Sequence, residues 1–119
     1  LKLSLEVAVN DGISVVTCKG RIVYRDEVAA LSNTVDDLLT RSRLLVLELS
    51  EVETLDGAGL GELAALLALA RDHGCRMKLV VPNQGVRDLL ELTRLESAFD
   101  IHRTLDDALA APRVFAQAV

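Results

Sequence analysis

Asp56 and the glycines behind it, Gly57, Gly59 and Gly61, are the residues of this chain best placed to do chemistry. An aspartate directly before a helix offers its carboxylate to the free amides of the first turn. Glycines in that turn allow close backbone approach and leave the amides, at the positive end of the helix dipole, open to an anion. The order Asp56, Gly57, Ala58, Gly59, Leu60, Gly61 lacks the Gly-Lys-Ser/Thr ending of a P-loop and is a poor dinucleotide fingerprint. Two uses of Asp56 stay open together: a helix cap, and a recognition element that a cap would hold in place. The nearest hydroxyls upstream are Ser50 and Thr54. His73 and His102 are isolated, and His73 reads as a dipole partner at a helix C-terminus. No Ser–His–acid or Cys–His set stands out, and the pairs Asp36–Asp37 and Asp106–Asp107 read as solvated helix faces. No catalytic residue, metal site or cofactor is expected.

Composition narrows the class of function. The chain has 119 residues, 50% of them apolar, enough for one domain with a core. Mean hydropathy is +0.32, which argues against disorder. Aromatic residues make up only 3%, so Leu, Val and Ala must build the core, and platforms for stacking bases are missing. The net charge is −5 with no Lys/Arg cluster, so nucleic acid and anionic membrane are poor partners. The longest apolar run, 63–70, is too short to span a bilayer. Lys2 is followed by alternating polar and apolar residues, which predicts no signal peptide. Cys18 and Cys75 lie far apart without metal-ligand spacing and read as free buried thiols, the alternative being a disulfide, which would be unusual in a cytoplasmic protein.

The elements that must position Asp56 follow from periodicity. Leu3, Leu5, Val7 and Val9 alternate with polar or small residues, a half-exposed strand. Asn10, Asp11 and Gly12 signal a hairpin turn, and residues 13–19 return as a second strand that Gly20 ends. Val28, Leu31, Val35, Leu38 and Leu39 fall at helical spacing behind Asp26 as N-cap, with Arg41 and Arg43 near the C-terminal end. Residues 44–49 are apolar at nearly every position, as in a strand covered on both faces. A short acidic loop then reaches Asp56. The helix behind it runs from Gly57 to His73 and ends on Gly74. Strand 76–81, a helix opened by Pro82 and Asn83, a short strand 99–102 and a final helix capped by Thr104 complete the chain. The order β-β-α-β-α-β-α-β-α predicts an α/β fold with a mixed, mainly parallel central sheet flanked by helices.

The strand, the loop and the frame from Asp56 to Gly61 resemble the signature of STAS domains, the family of bacterial anti-sigma factor antagonists. Residues 86–95 and 99–101 also look familial, so the resemblance covers nearly the whole chain, read as one STAS domain over 1–119. It implies a protein-binding module, not an enzyme, whose partner is an anti-sigma factor of the serine-kinase type or another signalling protein. It places the partner on Thr54, Asp56, Gly57, Ala58, Gly59 and Leu60. In the family a serine or threonine after the aspartate accepts phosphate; here Gly57 fills that slot, so no phosphorylation is expected there. Some relatives also carry acidic residues soon after the glycine matching Gly20, where this chain has Arg21, Ile22 and Val23, and acids only at Asp26 and Glu27. Leu60 and Gly61 read equally as core or docking surface; Leu63 and Leu67 read as core. The alternative within the resemblance is a STAS accessory subunit, for example of an ABC-type lipid transporter. A receiver-type phosphoaspartate at Asp56 is disfavoured by the β-β start and by the absence of a lysine after the last strand.

Overall fold

The hairpin expected at Asn10–Gly12 forms where the backbone demands it. The computed structural model describes residues 3–23, 26–95 and 97–110, and of Asp26 only the backbone. Strands β1 (Leu3–Asn10) and β2 (Ile13–Ile22) pair antiparallel from Leu3↔Gly20 to Asn10↔Ile13. Asp11 (φ 54°) and Gly12 (φ 78°) both take positive φ, the geometry of a two-residue hairpin loop that suits the strand twist.

After α1 (Asp26–Leu39), strands and helices alternate: β3 (Leu44–Leu55), α2 (Gly57–Asp72), β4 (Arg76–Val80), α3 (Gln84–Leu92), β5 (Asp100–His102) and α4 (Leu105–Ala110). The sheet order is β1-β2-β3-β4-β5, with β2, β3, β4 and β5 parallel to one another. The expected mixed, mainly parallel sheet is therefore what forms. β3 lies at its centre, and Leu45, Val46, Leu47 and Leu49 on it are fully buried.

Alternation along β3 separates two cores. Leu45, Leu47 and Leu49 join Val16, Met77 and Leu79 under α1, α2 and α3, which contribute Leu31, Val35, Leu63, Leu66 and Leu90. Leu44 and Val46 face the other way, with Val80 and Ala108 of α4. Among the described residues the second core is small, and the short helix α4 covers it.

Two boundaries differ from the sequence reading. Gly20 does not end β2: it takes φ 110° between two register shifts, and the strand bends and continues to Ile22. Correspondingly, residues 50–55 are not a loop. They extend β3 along the bent end of β2, pairing Lys19↔Glu51, Gly20↔Val52, Arg21↔Thr54 and Ile22↔Leu55. The acidic side chains face solvent while Val52 and Leu55 are buried. Only β2 accompanies this extension, because β4 ends opposite Glu48.

The helix ends follow their local chemistry. Asn83 caps α3 by accepting from the Val86 amide at 3.2 Å, and Thr104 Oγ1 accepts from the Asp107 amide at 3.1 Å. Gly74 takes φ 71° just beyond α2, as a helix-terminating glycine does. Capping of α1 by the Asp26 side chain lies outside the described residues.

Candidate functional site

The end of β3 delivers Asp56 to the rim of the sheet at the C-terminal end of the parallel strands. In open α/β sheets this is where ligands and partners are met. Asp56 is extended (φ −101°, ψ −175°) and caps α2: Oδ1 accepts from the Gly59 amide at 2.8 Å. The Asp56 carbonyl accepts from the Leu60 amide at 2.9 Å, and its own amide donates to the Ile22 carbonyl at 3.4 Å. Asp56 therefore joins three elements: the end of β2, the end of β3 and the start of α2. Asp56→Ala should cost about 1 kcal/mol of stability through loss of the cap. Chemical denaturation of the two proteins checks this, and an unchanged midpoint would contradict the capping role.

The three glycines, alike in the sequence, do different work. A Cβ on Gly59 would lie 2.3 Å from the Ile22 carbonyl oxygen and 2.7 Å from Leu55 Cδ1. Gly59 thus lets the first turn of α2 press directly on the β2 backbone. At Gly57 and Gly61 a Cβ would meet nothing within 4 Å, and neither residue needs the left-handed backbone that favours glycine. Gly57 is exposed beside the half-buried Asp56, with amides of the helix start next to it.

Of the six residues expected to meet a partner, Thr54 and Gly57 are exposed, and Asp56 and Ala58 are half-buried. Gly59 and Leu60 are buried, and Leu60 belongs to the main core, as do Leu63 and Leu67. Gly61 is on the exposed side of the helix.

The sequence singled out no role for two charged residues that the fold uses. Glu27, the second residue of α1, is buried and sits 3.9 Å from the half-exposed Arg21 on the bent end of β2. The residues are six apart in the chain, one on a strand and one on a helix, so no periodic signal joins them. Lys78 is 1% exposed on β4; its Nζ donates to the Ala108 carbonyl at 2.8 Å and lies 3.9 Å from Asp100. Burial pushes the Lys78 pKa down, and the Asp100 charge opposes that shift. A cation inside the apolar run after Arg76 was the signal available for it. On the same face, buried His102 Nε2 lies 2.8 Å from Asp100 Oδ1 without hydrogen-bond alignment.

The two thiols are held in their neutral form. Burial, with a smaller effect from Glu48, pushes the Cys18 thiol up to about 12, and burial also raises Cys75. Both cysteines are free and buried, so neither presents a thiolate. His73 Nδ1 donates to the Leu69 carbonyl, 2.9 Å away, at the end of α2. Among the described residues no group of three or more His, Cys, Asp or Glu could hold a metal ion. A shallow cleft of about 380 Å³ among Leu67, Arg71, Cys75, Met77 and Asp100 lies at the opposite, N-terminal end of the strands, away from Asp56. No helix among the described residues is long and apolar enough to cross a membrane.

Comparison with known proteins agrees with this fold. A STAS domain profile matches residues 4–108. The crystal structure of an anti-sigma factor antagonist from Mycobacterium paratuberculosis superposes with a TM-score of 0.84 at 32% identity, covering 94% of this chain and 95% of that one. SpoIIAA, an anti-sigma factor antagonist solved in its unphosphorylated form, shares the fold with a TM-score of 0.75 at 16% identity over 93% of this chain and 96% of its own. A Thermotoga maritima protein named as a candidate anti-sigma factor antagonist is 33% identical over 69 residues, 58% of this chain and 61% of the relative's length. The profile match across nearly all the described residues, and the Asp56 junction held at the end of the central strand, place the chain in one family: it belongs to the STAS domain family.

Proposed function

We propose that this chain is an anti-sigma factor antagonist, a non-enzymatic protein-binding module. It captures an anti-sigma factor of the serine-kinase type in the cytoplasm and so frees a sigma factor for transcription. The observation that carries this reading is the β3–α2 junction at Asp56. It is fixed by a cap and by backbone contacts to β2, yet it presents Thr54 and Gly57 to solvent at the sheet rim. A junction held by such bonds binds without a large ordering cost. The Mycobacterium paratuberculosis relative, named an anti-sigma factor antagonist, has the same fold along nearly its whole length. On this reading the partner meets Thr54, Asp56, Gly57, Ala58, Gly59 and Leu60; the first four are exposed or half-buried, and buried Gly59 and Leu60 would support them from below.

The test is reconstitution from purified components. A complex of sigma factor and anti-sigma factor from the same host is titrated with the chain, and free sigma is followed by gel filtration. The expected result is displacement of sigma and a new complex between the chain and the anti-sigma factor. No displacement by any anti-sigma factor of that host would sink the reading.

The module is read as unswitched at the family position. SpoIIAA has been solved in a phosphorylated form as well, whereas Gly57 has no hydroxyl to modify. Incubation with a cognate kinase and ATP should leave residue 57 unmodified when peptides are mapped by mass spectrometry. Stoichiometric phosphate on Ser50 or Thr54 would show a substitute acceptor and end the idea of an unswitched module.

A further inference from the structure

We infer that Arg21 is a specificity-determining contact of this docking rim, and that the partner places a carboxylate against its guanidinium. The inference rests on the reading above and adds the chemistry of one contact to it.

The placement comes from the bent end of β2. Arg21 pairs across the ladder with Thr54, two residues before Asp56. The next residue, Ile22, supplies the carbonyl that receives the Asp56 amide and against which Gly59 packs. Arg21 is therefore carried on the same short piece of backbone that fixes the loop. Any surface that covers Thr54 also approaches Arg21.

The orientation comes from Glu27. A glutamate side chain that is only 7% exposed needs compensation for its charge. Among the described residues two sources supply it: the positive end of α1, where it is the second residue, and Arg21 at 3.9 Å. That separation is an ion pair and not a direct hydrogen bond, so it draws the guanidinium toward Glu27 without using up its donors. Half of the Arg21 side chain remains exposed. A planar fork of five N–H donors, held from behind and open in front, suits a two-pronged carboxylate.

The surroundings make this cation distinctive. Lys19, the neighbouring base on β2, pairs with Glu51 at 3.8 Å. Asp56 turns its carboxylate onto the start of α2, and Glu53 is exposed on β3. Among the described residues around it Arg21 is thus set among acids, and a partner carboxylate gains where it meets Arg21. A partner with a basic residue at that place would oppose Arg21, so the contact selects both partner and register.

The experiment titrates a purified anti-sigma factor from the same host with the unaltered chain and with Arg21→Ala, Arg21→Glu, Arg21→Lys, Glu27→Gln and Gly57→Asp, with a thermal melt of each. Arg21→Ala should bind roughly tenfold more weakly, and Arg21→Glu roughly a hundredfold more weakly. Arg21→Lys should recover part of the loss, because charge returns without the fork. Glu27→Gln should weaken binding less than Arg21→Ala, since it only frees the guanidinium. A lysine introduced in place of one partner carboxylate should restore binding to Arg21→Glu. If Arg21→Glu does not fold, Arg21→Ala and Arg21→Lys carry the comparison. Unchanged binding by the Arg21 variants, with Gly57→Asp impaired, overturns this inference and leaves the docking loop standing. Unchanged binding by every variant, Gly57→Asp included, overturns the docking loop and this inference with it, as does no binding by the unaltered chain.

Discussion

Gly59→Ala should destabilise the domain by roughly 3 kcal/mol and lower its melting midpoint by about 10 °C. The added methyl would lie 2.3 Å from the Ile22 carbonyl oxygen and 2.7 Å from Leu55 Cδ1. Leu55 can rotate, but the carbonyl belongs to a strand locked into the ladder at Ile22↔Leu55. Relief therefore requires α2 to move off the sheet, and α2 carries Leu60, Leu63, Leu66 and Leu67 of the main core. Close-packed interiors do not absorb such a shift for free. The matched controls are Gly57→Ala and Gly61→Ala, where the new methyl meets nothing within 4 Å. Gly61→Ala should raise stability by up to about 1 kcal/mol, because alanine loses less backbone entropy in a helix interior. Thermal melts of the three variants decide the matter. A Gly59→Ala midpoint within two degrees of the unaltered protein would remove the close-approach argument.

The contrast among these glycines shows where sequence reading stops. Nothing in the string Asp56 to Gly61 says which glycine touches β2, because the touching partner is some thirty-five residues earlier in the chain. The hairpin was legible, since Asp11 and Gly12 state their turn locally and the flanking strands keep a period of two. The central strand was legible up to Leu49 for the same reason: an unbroken apolar run needs cover on both faces. Its extension was not. Beyond Leu49 the buried residues Val52 and Leu55 are three apart, and the two register shifts around Gly20 destroy the alternation that marks a strand. Acidic side chains at 51 and 53 then read as loop, though they line the open side of a two-stranded ribbon.

The same ribbon explains why the site was only partly visible. Asp56 announced itself as a cap, and the structure gives it that bond. Arg21 registered only as an unexpected charge, and Glu27 only as an acid of uncertain correspondence. Their ion pair exists because the bend at Gly20 and the start of α1 bring the two side chains together. Lys78 carried a fainter signal still. A buried ammonium is intelligible only once α4 is folded over β4 and the Ala108 carbonyl is there to receive it.

Gly57→Asp separates the surface role of the loop from its structural role, and its expected effect on binding is about a hundredfold loss. The fold should tolerate it. The new side chain meets no atom within 4 Å, and the backbone at Gly57 is open to other residues. As the first residue of α2, position 57 sits at the positive end of the helix, which favours a carboxylate by a few tenths of a kcal/mol up to about 1 kcal/mol. Repulsion from the Asp56 carboxylate next to it opposes that gain, so the melting midpoint should stay within a few degrees. Binding has no such compensation. A carboxylate buried under a docked partner loses its water, and it would repel any acidic group brought to Arg21 nearby. Gly57→Ser, by contrast, adds a small neutral group to open space and should bind like the unaltered chain. If the partner is a serine kinase, this variant should also accept phosphate at residue 57, and the phosphorylated form should then release the partner. Calorimetric titration of the three proteins, beside their melts, reads both effects. Full affinity in Gly57→Asp would mean that the loop is not the interface. A collapsed melt would mean that Gly57, like Gly59, is held for packing, and the docking surface would have to be sought elsewhere on the domain.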